Sequence, residues 1–443
     1  MAGEWKELPF SEAVLLNPAT PLGRGTVYPF VDMSAITAGT RDVKCSEHRE
    51  FTGGGSRFQD RDTLMARITP CLENGKMARF QAPEGEPVGH GSTEFIVIRG
   101  RPNITDNDYA YYLTISPEVR SFAISQMTGT SGRQRVPTDA LGGIAVPVPP
   151  LAEQKAIAAV LGALDDKIEL NRRMNATLEA MARALFQSWF VDFDPVRAKL
   201  DGRKPEGMDI ATAALFPDAF EESSLGPVPK GWEVKTLSDL TSLITKGTTP
   251  TQDDMGGAPD PDAQINYVRV NSIDEDGSVL ADKLTTIPES VHAGVLKRSI
   301  LMANDVLYTI AGTIGRIALA EDWLLPANTN QAVAIIRPEL EIPSGFLMLS
   351  MRHEVFREEL HNNIVHAVQA NLSLGMISKA RVVVPLQSIL QQLFRPIDVL
   401  LSQISANRIQ SRTLATLRDT LLPKLLSGEL SVAQSTITKG DKL

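Results

Sequence analysis

Residues 151–190, LAEQKAIAAVLGALDDKIELNRRMNATLEAMARALFQSWF, decide how the rest of the chain is read. Ile157, Leu161, Leu164, Ile168, Asn171, Asn175, Leu178, Ala182, Leu185 and Trp189 are spaced alternately four and three residues apart. That is the a/d seam of a heptad repeat. The seam recurs 236 residues later as Leu393, Ile397, Leu400, Ile404, Asn407, Ser411, Leu414, Arg418, Leu421 and Leu425, with Asn171 falling on Asn407. Each helix of about 33 residues would be roughly 50 Å long at 1.5 Å per residue. One small domain cannot cover that length, so the two helices are expected to pack on each other. The plainer alternative is two amphipathic helices, each lying on its own domain. An asparagine inside each seam fixes register at some cost in stability. Pro423 is expected to break the second helix near its end, leaving Leu425 outside.

Outward from the helices, the chain is an internal repeat. Trp5-Lys-Glu-Leu-Pro-Phe-Ser11-Glu12 recurs as Trp232-Glu-Val-Lys-Thr-Leu-Ser238-Asp239, and Phe30-Val-Asp-Met-Ser-Ala-Ile36 as Tyr267-Val-Arg-Val-Asn-Ser-Ile273. Asp62-Thr-Leu-Met-Ala-Arg-Ile68 answers to Asp305-Val-Leu-Tyr-Thr-Ile310, and the turn Gly75-Lys76 to Gly315-Arg316. Apolar runs Phe95–Arg99 and Val333–Arg337 follow, and each half closes on a β-branched run into proline, at Pro147 and Pro385. Short apolar runs broken by turn residues read as strands. Tyr109–Phe122 and Gly345–Leu360 read as helices. The expectation is two α+β domains, 1–150 and 229–385, each followed by a helical spacer, 151–191 and 386–430. A linker at 192–228 holds Asp194-Pro195, Lys204-Pro205 and Gly226-Pro-Val-Pro-Lys-Gly231, a cluster of turn formers. Residues 431–443 read as a flexible tail. Antiparallel helices would put the domains at opposite ends about an approximate two-fold axis. Because the seams match, the first half should also be able to pair with a second copy of itself.

Composition excludes more than it suggests. The 443 residues carry a net charge of −9, 43% hydrophobic and 22% charged residues, ordinary for a globular protein. No region is strongly basic, so charge alone does not point to nucleic acid. The N-terminal residues lack the regions of a signal peptide, and no run is apolar enough to cross a membrane. Cys45 and Cys71 form no metal-spaced cluster. A cytoplasmic protein is expected. Phe51-Thr-Gly-Gly-Gly55 superficially resembles a cofactor loop, but His48-Arg-Glu50 precedes it in place of an apolar strand, so it reads as a surface turn. Asn17-Pro-Ala-Thr20 lacks the second proline of a methyltransferase loop, and Gly75-Lys76 is followed by Met77, which spoils a phosphate loop. His353-Glu354 lacks the second histidine of a zinc helix. No catalytic or metal residue is expected.

Several segments nevertheless carry a resemblance. They are the Trp-x-x-x-x-[Leu/Phe]-Ser-acid openings, the loop Thr128-Gly-Thr-Ser-Gly-Arg-Gln134, and Val146-Pro-Val-Pro-Pro-Leu-Ala-Glu-Gln154 opening a long helix. Phe186-Gln-Ser-Trp-Phe-Val-Asp-Phe-Asp-Pro195, Gly226-Pro-Val-Pro-Lys-Gly-Trp232 and Leu421-Leu-Pro-Lys-Leu-Leu-Ser-Gly-Glu429 complete the set. In this order, twice over, the chain resembles the specificity subunit of type I restriction-modification systems. The second half departs from the pattern: Gln391 replaces the acid at the start of its helix, and His366-Ala-Val-Gln-Ala-Asn-Leu-Ser373 has lost the glycines.

The resemblance implies a fold class of two pseudo-repeated α+β target-recognition domains separated by two long helices that form an antiparallel coiled coil. Each domain would read one half of a split sequence in double-stranded DNA, and the helices would fix the unread spacer. Two modification (methyltransferase) subunits would dock on this chain and restriction (translocase/nuclease) subunits would join them. S-adenosylmethionine, ATP and magnesium would belong to those partners, with no cofactor in this chain. Arg and Lys suit guanine or phosphate, and Asn and Gln suit adenine. The candidate DNA contacts are Lys76, Arg79, Arg133, Gln134 and Arg135 in the first domain. In the second they are Lys246, Thr248, Arg316, Gln369 and Asn371. Two rival readings are a self-contained DNA methyltransferase or nuclease, against which the missing motifs count, and a pseudo-symmetric protein scaffold, which the acidic charge favours.

Overall fold

The computed structural model describes residues 5–130, 132–255, 265–364 and 372–432, with the backbone alone at 361–364. The chain divides into two compact units, Met1–Met174 with Ala406–Leu443, and Asn175–Ser405. Each unit holds one α+β domain together with the adjoining parts of both long helices, Leu151–Phe186 and Gln387–Leu426.

In the first unit a five-stranded sheet runs in the order Val14–Leu16, Phe95–Gly100, Thr63–Ala66, Met77–Phe80, Asp42–Val43. Its central strands are mostly apolar, Leu64–Ala66 and Phe95–Ile98 being buried throughout, because both faces are covered. Met65, Ile96 and Ile98 pack with Tyr109 and Tyr112 of helix Asn107–Ile115. Leu64, Phe95 and Val97 face the other way, onto Phe58 and Phe80. A four-stranded sheet, Glu47–Glu50, Val27–Val31, Val88–Gly91, Ser56–Gln59, stands beside it. The ribbon Lys6–Pro9 with Ala145–Val148 ties the start of the domain to the start of the first long helix.

The second unit repeats this plan. Thr241–Lys246, Val333–Pro338, Val306–Thr309 and Ile317–Leu319 form its main sheet, and Glu233–Thr236 pairs with Arg381–Val384. A parallel pair recurs as well, Phe30 against His90 and Asn266 against Ala327. One buried ion pair stands in both domains. Asp62 accepts from Arg99 Nε and Nη2 at 2.7 and 2.6 Å and from the Gln59 amide at 2.8 Å. Asp305 does the same with Arg337, at 2.8 and 2.9 Å, and with the Met302 amide at 2.8 Å. The two openings differ in one detail. The Trp5 indole donates to Glu153 at 3.0 Å, whereas the buried Trp232 indole nitrogen has no partner among the described residues.

Four details correct the reading of the sequence. The helix expected over Tyr109–Phe122 is two, Asn107–Ile115 and Pro117–Ser125, because Ser116 caps the second and Pro117 opens it. The helix expected over Gly345–Leu360 is likewise Ser344–Arg352 and Glu354–Ile364, divided at His353. Pro423 does not end the second long helix, which runs on to Leu426. Its neighbours Leu422, Leu425 and Leu426 are buried against Ile157 and Leu161. That packing offsets a proline penalty of about 3 kcal/mol. The segment 192–228 is more than turns. It forms helices Asp194–Leu200 and Ile210–Ala214 and the hairpin Phe220–Ser223 with Gly226–Pro229. Phe193, Val196 and Phe216 from it enter the core of the second unit, where Trp189, Phe190, Trp232, Phe346 and Phe394 form an aromatic cluster.

The long helices pair antiparallel. In the first unit Ile157 and Leu161 share a core with Leu422, Leu425 and Leu426. Asn171 Nδ2 donates to Gln410 Oε1 at 2.9 Å, Ser411 Oγ at 3.2 Å and the Asn407 carbonyl at 3.4 Å. In the second unit Asn175 Nδ2 reaches the Ile404 carbonyl at 3.3 Å, and Phe186 packs in the core that holds Leu393, Phe394 and Ile397. Leu164, Ile168, Leu178, Leu185, Leu400, Leu414 and Leu421 along the seams are half-buried. The seam carries a buried charged crossing. Arg418 Nη1 donates to Asp165 at 2.7 Å, and the same carboxylate accepts from Tyr112 Oη at 2.6 Å, with all three groups buried. Burial works to lower the Arg418 pKa, but the Asp165 charge and hydrogen bond more than offset it, so the guanidinium stays charged.

Breaking a buried pair costs more than replacing it, because one charge is left without its partner. Arg418→Ala should lower unfolding free energy by about 3–5 kcal/mol. The combination Y112F/D165L/R418M, which removes the three buried polar groups and leaves only the exposed Asp419 carboxylate, should recover most of that loss. Chemical denaturation of the three proteins checks both statements.

Candidate nucleic-acid interface

The loop Thr128–Val136 of the first domain is built as an extension of the main sheet. Thr128 and Arg135 exchange both backbone hydrogen bonds, at 3.0 and 2.9 Å. The Thr69 amide donates to the Gln134 carbonyl at 3.0 Å, and the Val136 amide to the Arg67 carbonyl at 2.9 Å. Gly129 and Gly132 sit at φ +125° and +79°, a region open to glycine and strained for other residues. The loop is thereby held tightly at its base while its tip projects.

Within it the three candidate residues have different fates. Arg133 is exposed and makes no side-chain hydrogen bond among the described residues. Gln134 is half-buried and fixed by its backbone. Arg135 is clamped to Glu94, with Nε and Nη2 at 2.9 and 2.7 Å. That bond is the largest influence holding the Glu94 carboxyl below its ordinary value. Burial pushes the other way, and the charges of Arg135 and Arg67 lower it further.

The other candidates of the first domain lie elsewhere. Lys76 donates to the Met33 carbonyl at 2.9 Å. Arg79 is largely buried, giving Nε to Asp42 at 2.7 Å and Nη1 to Asp108. It lines a separate cleft with Arg41, Arg61, Asp166, Glu169 and Arg173. There Arg41 bonds Asp42 and Asp166, Arg61 bonds Asp108, and Arg173 bonds Glu169. Every arginine of that cleft is matched by a carboxylate, so it holds the domain together and offers DNA little. In the second domain Lys246 and Thr248 are exposed at and just beyond the end of strand Thr241–Lys246. The Thr248 carbonyl accepts from Tyr267 Oη at 2.8 Å. Arg316 Nη1 donates to the Ile273 carbonyl at 2.8 Å, and Nη2 lies 3.5 Å from Glu275. Gln369 and Asn371 lie outside the described residues.

The sequence reading overlooked Arg57 and Arg67, which share a cleft of about 650 Å³ in the first domain. The signal was present in the repeat, but pairing Ile68 with Ile310 hid it. The backbone pairs Arg67 with Ile310 instead. The Arg67 amide donates to the Glu94 carbonyl, and the Ile310 amide to that of Ala332.

Two exposed or half-exposed cationic loops on a repeated α+β scaffold narrow the class of protein, and comparison with known families decides it. The family described as the type I restriction modification DNA specificity domain matches residues 64–180 and 229–411. The chain belongs to that family. It is 28% identical over 379 residues to the type I restriction enzyme HindI specificity subunit of Haemophilus influenzae, covering 76% of this chain and 81% of that one. It is 25% identical over 332 residues to the MjaIX specificity subunit of Methanocaldococcus jannaschii, covering 74% and 70%. A solved S subunit of a type I restriction-modification system from M. genitalium aligns over 96% of each chain, at 14% identity and a TM-score of 0.49. The family membership accounts for the doubled domain and the doubled long helix. No helix among the described residues is long and apolar enough to cross a membrane.

The Glu94–Arg135 clamp gives a pH test of the loop. Glu94 titrates lower in the folded protein than its ordinary 4.5. Its stabilising contribution is therefore present above that value and is lost as pH falls through the lower, folded value. Protection factors of the amides of 128–130 and 132–136, exchange being referred to the intrinsic rate at each pH, should fall only below pH 4.5 in the wild type, while Glu94→Gln should show the lower protection already at pH 7.

Proposed function

We infer that this chain is the DNA-specificity subunit of a type I restriction-modification complex, and that it carries recognition without a catalytic site of its own. The observation that carries this reading is the pair of α+β domains with one topology, joined to antiparallel helices, in a chain of the specificity family. Each domain reads half of a split sequence, and the helical pair sets the spacer between the halves. Arg133 and Gln134 in the first domain, and Lys246, Thr248, Gln369 and Asn371 in the second, are the base or phosphate contacts. Arg79 is left out of that set because Asp42 and Asp108 occupy its guanidinium.

Two modification subunits supply S-adenosylmethionine and methyl transfer, and restriction subunits supply ATP and magnesium chemistry. The outer surface of the first long helix supports docking of a protein partner. Val160, Leu170 and Met174 are 37%, 50% and 38% exposed, and their spacing puts them within a quarter of the helix circumference. A soluble chain leaves such a row of apolar side chains uncovered only where a partner covers it. The net charge of −9 fits a subunit whose partners provide much of the contact to phosphate.

Methylation mapping of cells that express the chain with its modification partner tests the reading, and a split methylated motif is the expected result. A heptad inserted after Asn171 and another after Asn407 keeps both seams in phase and lengthens the helices by about 10 Å. At roughly 3.4 Å per base pair the spacer should grow by about one to three pairs, with both half-sequences unchanged. Activity retained on the original spacer would show that the helices do not measure it.

A further inference from the structure

Gly55, the last residue of the run Phe51–Gly55 that reads from sequence as a surface turn, lines the Arg57–Arg67 cleft. Gly55 sits at φ +84°, and a Cβ there would come within 2.3 Å of the Gly91 carbonyl, so only glycine allows this close approach. Beyond it Ser56, Arg57 and Arg67 line the cleft together with Asn17, Thr20 and Thr93. No carboxylate lines it, in contrast to the neighbouring cleft where every arginine is matched. The Arg67 guanidinium makes no hydrogen bond among the described residues, and its Nε and the Ser56 hydroxyl are both buried without a partner. Arg57 is exposed, with one 3.4 Å bond to the Gly53 carbonyl and its guanidinium 4.8 Å from the Phe51 ring centroid. Buried donors without acceptors carry a desolvation cost of about 1–3 kcal/mol each, which a ligand that supplies acceptors would relieve.

The repeat shows that the fold does not require this cation. Arg67 and Ile310 occupy the same place in the two domains. The first takes its amide bond to Glu94 and its carbonyl bond from Val136, the second to Ala332 and from Leu372. Ile310 is 3% exposed and packs in the core. A buried isoleucine satisfies the architecture there, so an arginine at the matching position answers to something outside the architecture.

We propose that this cleft seats a phosphodiester of the duplex DNA, held by the Arg57 and Arg67 guanidiniums with the hydroxyls of Ser56, Thr20 and Thr93. The proposal rests on the specificity-subunit reading and adds the point at which the first domain grips the DNA backbone. Glu94 lies near enough to feel the Arg67 charge but is hydrogen-bonded to Arg135. The wall itself presents donors and two positive charges with no carboxylate in its lining, which matches an anion rather than the mixed donor and acceptor edge of most base pairs. Phosphate contacts set orientation and register, and the projecting loop at 128–136 is then free to read bases.

The test uses the complex of the full chain with its modification subunits, titrated against its target DNA over a range of salt. The variants are Arg57→Ala, Arg67→Lys and Arg67→Ile, the last being the residue that the second domain already accommodates. Loss of each phosphate contact should flatten the slope of log affinity against log salt by about 0.9. It should weaken binding by on the order of tenfold at low salt, equally for matched and mismatched sequences. R67K should keep the wild-type slope, and unchanged thermal unfolding of R67I confirms an intact domain. A double variant R57A/R67I with wild-type affinity and slope would overturn the proposal. A relaxed base preference at one position would also overturn it, in favour of a guanine contact. If the wild-type complex leaves no split methylated motif, the specificity-subunit reading itself fails, an outcome that the variants need not be made to see.

Discussion

The antiparallel pairing of two long helices, locked where Asp165 meets Arg418 and Asn171 meets Asn407 and Ser411, is the constraint on which the rest of the molecule depends. Apolar heptad seams alone tolerate slippage, since a shift of seven residues presents an equivalent surface. A buried ion pair does not. Sliding either helix by one heptad would separate Arg418 from its acceptor and leave a charge in the core, at a cost several times that of a lost apolar contact. The seam thus fixes that the helices associate, and its few polar residues fix where.

The domains are attached to this frame by different means in the two halves. At the first, Gln154 on the opening turn of the helix accepts from the Asp106 amide and donates to the Ile104 and Pro149 carbonyls. The Trp5 indole meets Glu153 beside it. At the second, Gln391 Nε2 donates to the Glu341 carbonyl at 3.4 Å and Gln387 Nε2 to the Glu341 carboxylate, beside Leu390 and the ring cluster around Phe346 and Phe394. The two halves share their core strand order and the Asp–Arg ion pair, while the glutamine contacts at the start of each long helix are buried at Gln154 and exposed at Gln387 and Gln391.

Much of this was legible in the sequence. The heptad spacing predicted both long helices, since period is a local property that packing reinforces, and the repeat of Trp5 at Trp232 and of Phe30 at Tyr267 located both domains. What escaped was non-local. Asp194–Pro195 and Gly226–Pro229 carry turn chemistry, yet Phe193, Val196 and Phe216 between them are drawn into an aromatic core that forms only when distant segments meet. Pro423 carries a helix-breaking signal that tertiary burial of its neighbours overrides. Among the site residues, charge type was readable but availability was not. Arg79, Arg133 and Arg135 look alike in sequence, and only the positions of Asp42, Asp108 and Glu94 separate two occupied guanidiniums from an unoccupied one. Arg67 was missed because the sequence match ran from Asp62 to Ile68 on one side and from Asp305 to Ile310 on the other, one residue shorter, whereas the two strands are equal in length and put Arg67 opposite Ile310 in the repeat.

That lesson also changes what the sequence symmetry means. Position for position the two seams match so well that the first helix looks able to pair with a copy of itself. The match fails where it counts. The counterpart of Arg418 in the first helix is Ala182, and the counterpart of Asp165 in the second is Leu401. In the second unit those two residues lie in an apolar core, Ala182 only 1% exposed. In a symmetric pair of first helices Asp165 would therefore face an alanine, buried and without its arginine, and it would do so twice. Tyr112 would remain as a donor to it, but a neutral hydroxyl does not balance a buried carboxylate. The Arg418 guanidinium thus makes the helices complementary rather than interchangeable.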